Sequence, residues 1–171
     1  MILTSDINLH NPLWDEAERK LKDDMKLFSR LVDIFLIACS IGIKDDEIIA
    51  DEEGLSIVRT IGRNTYQSMI NTDLKEQLDY MLQNAIINSK HLSFDMDERL
   101  KLAFDPDYKN DKLKPASFLA GFANYGISQI LNTVKSDSPI VAIGELFAYL
   151  TTLSDSVYDE LLQNITLDKI D

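Results

Sequence analysis

The chain has 171 residues, of which 45% are hydrophobic and 27% charged, enough length for a core of its own and outside the composition of disordered chains. Its net charge of −12 sets most of the surface against polyanions, because phosphate binding draws on Lys and Arg. A single cysteine, Cys39, rules out an intrachain disulfide and a cysteine-built zinc site, and two histidines, His10 and His91, are few for an imidazole cage.

The opening "MILTSDINLHN" has neither a basic region nor a sustained apolar run, so the expectation is a cytoplasmic chain without a leader. The first helix is predicted in "NPLWDEAERKLKDDMKLF". Asn11 caps it, Pro12 opens its first turn, and Leu13, Ala17, Leu21, Met25 and Phe28 recur on one face. Trp14 reads as a packing anchor. After a break at Ser29 comes "VDIFLIACSIGIKDDE". Its uncharged core, Ile34 to Ile43, is about half of what a bilayer-spanning helix needs, so a buried helix is predicted and no membrane anchor. Gly42 is expected to end it in the left-handed conformation. Cys39 inside it is a small buried hydrophobe. Asp33, early in the helix, is expected to accept from free backbone N–H groups.

The connection that follows holds six acids against one lysine between Lys44 and Glu53. Asp45, Asp46, Glu47, Asp51, Glu52 and Glu53 are the candidate partner-binding residues. The competing reading is charge for solubility. A further helix is expected over "GLSIVRTIGRNTYQSMI", with Arg59 and Arg63 one turn apart and paired with neighbours such as Glu52 or Glu53. Another helix covers "TDLKEQLDYMLQNAII", with Thr72 or Asp73 as cap. In "FDMDERLKLAF", Asp95 and Glu98 stand at capping-box spacing. "DPDYKNDKLKP" forms a polar loop, a candidate hinge at 105–115. It lacks the glycine and closing glutamate of a calcium loop, so no metal is assigned.

After Pro115, Phe118, Leu119, Phe122, Ala123, Gly126, Ile127, Ile130, Leu131 and Val134 make the fullest apolar stripe of the chain. Gly121, Gly126 and Gly144 lie within predicted helices, where close helix approach is their expected value. Ser138 and Pro139 read as cap and first turn of "IVAIGELFAYLTTL". Glu145 interrupts that apolar run: buried, it would have a raised pKa and catalytic potential, while on a wet strip it is solvated, which is the preferred reading. A last, separate helix, "SVYDELLQNI", is expected to bury Val157, Leu161, Leu162 and Ile165. No sustained two-residue alternation appears. The expectation is an all-α fold, a single globular domain over 1–171 with seven or eight helices.

"FSRLVDIFLIACSIGIKDD" (Phe28 to Asp46) and "FLAGFANYGISQIL" (Phe118 to Leu131) resemble, in order, two segments of small helical proteins associated with bacterial DNA phosphorothioation and phage-defence systems. The first shares a Phe, an Asp, an apolar run with small residues and a closing Gly; the second shares an Ala-Asn-x-Gly helix. Together they cover 33 of 171 residues. The resemblance implies an accessory role beside DNA-modifying or DNA-restricting machinery and carries over no catalytic residue.

With no catalytic constellation recognisable, the expectation is a non-enzymatic accessory or regulatory protein with a protein partner, without direct nucleic-acid binding, cofactor or metal. The alternative is an acidic, DNA-mimic-like inhibitor of a nucleic-acid-binding partner. A hydrolase built around a carboxylate such as Glu145 ranks third. Oligomeric state is left open.

Overall fold

The computed structural model describes residues 3–50, 56–67, 72–108 and 110–167, with the backbone alone for 67, 72 and 156–167. Among them are seven α-helices: α1 (Leu13–Ala17), α2 (Leu31–Asp45), α3 (Arg63–Gln67), α4 (Thr72–Asn88), α5 (Met96–Phe104), α6 (Pro115–Thr133) and α7 (Pro139–Leu167). The fold is mostly helical, as the periodicity predicts. Two three-residue strands, β1 (Ile7–Leu9) and β2 (Arg59–Ile61), were not foreseen. They pair antiparallel, with Ile7 opposite Ile61 and Leu9 opposite Arg59. Ile7, Leu9 and Ile61 turn inward, while Asn8 and Thr60 meet outside through a 3.1 Å hydrogen bond. The chain divides into two compact units, Met1–Gln129 and Ile130–Asp171.

In the first unit, the predicted N-terminal helix is α1 followed by a π-helical turn, Glu18–Asp24, closed by the Met25 N–H on the Lys20 carbonyl. Apolar residues spaced strictly by four overshoot a 3.6-residue turn. The wider π turn corrects this, and Trp14, Ala17, Leu21 and Met25 are all buried. Asn11 does accept from the Leu13 N–H, as its position predicted.

The helix α2 is buried along Val32, Ile34, Phe35, Ala38, Cys39 and Ile41, but it does not stop at Gly42. It runs on to Asp45, and Asp46 takes the left-handed conformation at φ 48°. The Glu47 N–H reaches the Gly42 carbonyl and the Asp46 N–H that of Ile43, a Schellman closure with aspartate where glycine was expected. Gly42 serves packing instead: a Cβ there would lie 2.7 Å from the carbonyl carbon of Phe122 on α6. Gly126 returns the arrangement, since its Cβ would lie 2.8 Å from the Cα of Ala38 on α2. The two helices thus touch backbone to backbone at two reciprocal notches. The Cys39 thiol, buried between them, points at the Leu119 carbonyl at 3.7 Å, and burial pushes its pKa well up.

The expected helix over 54–70 is corrected: its described part is strand β2 and the five-residue α3, whose first N–H, at Arg63, is held by Asp6. In α5, Asp95 accepts from the Glu98 N–H at 2.8 Å, as the capping spacing predicted. The 105–115 loop is fastened by Asn110 and Tyr108, which both donate to the Glu98 carboxylate.

In the second unit, α7 begins at Pro139, as expected, and continues without a break to Leu167. The separate last helix is therefore corrected to the distal half of α7. The side chains of Val157, Leu161, Leu162 and Ile165 lie outside the described residues. No helix among the described residues is long and apolar enough to cross a membrane.

Candidate partner-binding surfaces

The acidic connection begins where α2 stops, and its three described acids meet α6 and the turn after α4. Asp45 accepts from the Tyr125 hydroxyl at 3.3 Å and lies 3.4 Å from Lys44 Nζ. Asp46 accepts the Lys90 N–H at 2.8 Å, and its carbonyl lies 2.9 Å from His91 Nε2. Glu47 pairs with Lys90 Nζ at 2.8 Å. The Glu47 hydrogen bond raises the Lys90 ammonium pKa; burial and then the Asp45 charge raise that of the Tyr125 phenol. The junction draws seven ionisable side chains together, yet their bonds go to main-chain atoms and to each other. It closes a helix and fixes the turn at Lys90. Asp51, Glu52 and Glu53 lie outside the described residues.

The segments Phe28–Asp46 and Phe118–Leu131 pack on each other through the glycine notches. The Ala-Asn-x-Gly stretch is part of that packing: Ala123 and Asn124 are buried, and Gly126 is the second notch. Asn124 accepts from Trp14 Nε1 at 2.8 Å and donates to the Ile49 carbonyl at 3.2 Å, so its amide ties α1 and the acidic connection to α6.

The other residues weighed for chemistry are spent locally. Asp33 forms a two-pronged pair with Arg30 rather than capping α2. Arg59 pairs with Glu18 and with Asp15, at 2.5 Å for the latter. Burial alone would raise the Glu18 carboxyl, but hydrogen bonds and charge from Lys22 and Arg59 hold it below its ordinary value. Glu145 is half-buried and accepts from the backbone N–H groups of Lys135 and Ser136 at 3.0 and 3.2 Å, closing the turn between α6 and α7. A cleft of about 800 Å³ lies in the first unit. Polar side chains line it, among them Asp6, His10, Asp111, Lys114 and Ser117. No group of three or more metal-ligating side chains occurs among the described residues.

Two helices among the described residues also expose apolar side chains. On α5, Met96, Leu100 and Phe104 stand at i, i+4 and i+8, all exposed, while Leu102 and Ala103 are buried on the other side. Asp97 and Lys101 border this stripe. On α7, Ile140, Val141, Ile143 and Phe147 are exposed while Ala142 and Leu146 are buried. Sequence reading missed both surfaces. Periodicity marks which residues share a helix face, but a helix apolar on two sides leaves open which side meets the core. Against protein-family models, curated proteins and solved structures, the chain shows no match.

Proposed function

We propose that the chain is a non-enzymatic, cytoplasmic accessory protein that acts by protein–protein contact in a phage-defence or mobile-element setting. The observation that carries the contact reading is the α5 stripe. Three large apolar side chains are exposed in register on one short helix and edged by Asp97 and Lys101, the layout of an apolar contact with a polar rim. The helix is well anchored, by its Asp95 cap and by Arg99, so the stripe is presented on a fixed element. The setting rests on the resemblance of Phe28–Asp46 and Phe118–Leu131. The acidic connection takes second place, because Asp45, Asp46 and Glu47 already have partners within the chain.

The test is affinity capture from the native host with the wild type and with Leu100→Glu/Phe104→Lys, whose helicity is checked by circular dichroism. One or more proteins of DNA-modifying or DNA-restricting machinery should co-purify with the wild type and drop at least tenfold with the variant. Identical co-purifying sets from two equally folded chains would sink the reading.

A further inference from the structure

The proximal half of α7 is apolar on two opposite sides, and only one is covered. Ala142 and Leu146 are buried, whereas Ile140, Ile143 and Phe147 recur at i, i+3 and i+7 with 83%, 56% and 71% of their surface exposed. Gly144 sits in the middle of that stripe, and a Cβ built on it meets nothing within 4 Å. A helix apolar on both sides is one that is enclosed on both sides. We infer that a second copy of this chain covers it, with the two α7 helices packed antiparallel about a two-fold axis at Gly144.

Three observations select a second copy. The first is charge. A chain of net charge −12 repels its own copy over most of its surface, so self-association needs an uncharged face. From Pro139 to Ser154 the only charged residue is Glu145, and its carboxylate is held by two backbone N–H groups of the same unit. The second is shape. An antiparallel two-fold at Gly144 sets Phe147 of each copy beside Val141 of the other and Ile140 beside Ala148. The two Gly144 residues then face each other and let the helices approach closely, and each large side chain of the patch lies beside a smaller one of its copy, as an isologous contact requires. The third is area. Only part of each side chain is exposed, so Ile140, Val141, Ile143 and Phe147 together offer on the order of 500 Å² per copy. The pair would bury about 1,000 Å², the lower limit for a specific interface. The antiparallel sense follows from Asp155. A parallel pair would set the two Asp155 carboxylates side by side, whereas the antiparallel pair holds them roughly 33 Å apart along the helix axes, beyond the screening length.

This pairing deepens the contact reading by naming one of the chain's partners, and it is tested on a different helix from the host capture. Sedimentation equilibrium of the full chain between 1 and 100 µM should show a reversible dimer of twice the 19.4 kDa chain mass. Phe147→Lys and, separately, Ile140→Glu should each raise the dissociation constant at least tenfold with helicity unchanged. In a Cys39→Ala background, Gly144→Cys should cross-link across the axis and Asp155→Cys should not. A wild type monomeric at 100 µM would overturn the pairing, as would a dimer indifferent to both charge variants. Cross-linking through Asp155→Cys would overturn the antiparallel sense. None of these results alters what the α5 variant shows in host capture, so the two readings fail separately.

Discussion

Arg99 ties the end of α4 to the start of α5. Its guanidinium donates to the carbonyls of Ile86, Ile87 and Ser89 at the end of α4, and to those of Leu92 and Phe94 in the turn that leads into α5. The last carbonyls of a helix have no partners within it, and a planar fork with five N–H groups can satisfy several at once. Arg99→Ala should therefore cost about 2–3 kcal/mol in urea unfolding, because acceptors lose a charged donor. Arg99→Lys should recover less than half of that, since a point charge cannot span carbonyls on two sides. Full recovery by lysine would mean that charge rather than fork geometry holds the turn. Nothing in the sequence marks this residue: an arginine in "DMDERLKLAF" reads as part of a solvated face, and its partners lie up to thirteen positions away.

At the scale of elements, the helices with long apolar periods were legible, and so were the starts marked by Asn11, Asp95 and Pro139. Short elements were not. A strand such as Ile7-Asn8-Leu9 offers one alternation, too little to separate from noise, and its pairing with Arg59–Ile61 is a long-range event. Ends were misread where a residue had two uses. Gly42 can end a helix or admit a neighbour, and only the position of Phe122 decides. A separate last helix was expected at "SVYDELLQNI", but with no glycine or proline directly before it to break the chain, α7 continues. The glycines themselves allow a graded test. Gly42→Ala and Gly126→Ala each press a methyl group into another helix's backbone, which cannot move aside, and each should destabilise by about 3 kcal/mol or more. Gly121→Ala presses on the Ile48 side chain, whose branched Cγ2 would lie 2.8 Å away, and should cost about 1–2 kcal/mol, less than either backbone notch because a side chain yields before a backbone does. Thermal or urea unfolding of the three variants reads the order directly. Equal costs would place the tightness elsewhere.

For the whole molecule, charge sets the partners. Residues 1–60 carry thirteen acids and seven bases, and residues 116–171 carry seven acids and two bases, so both ends of the chain are negative. Arg59 already belongs to Glu18 and Asp15. The isolated protein should therefore bind duplex DNA more weakly than about 100 µM at physiological salt, measured by fluorescence anisotropy. Tight binding with a steep salt dependence would sink the protein-contact reading. The candidate surfaces were only half legible at this scale. Acidity is visible in the sequence, but its engagement by Lys90, His91 and Tyr125 is a property of the fold.

The α2–α6 clasp also governs how the protein is made. Cys39 meets Leu119, eighty residues further along the chain. At roughly 5–20 residues per second of synthesis, α2 leaves the ribosome about 4–16 seconds before its counterpart exists. During that interval Ala38, Cys39 and Gly42, which meet Gly126, Leu119 and Phe122 in the finished protein, have no α6 to cover them. An apolar helix of an acidic chain thus stays partly uncovered while synthesis continues, which makes that interval the one most open to wrong contacts.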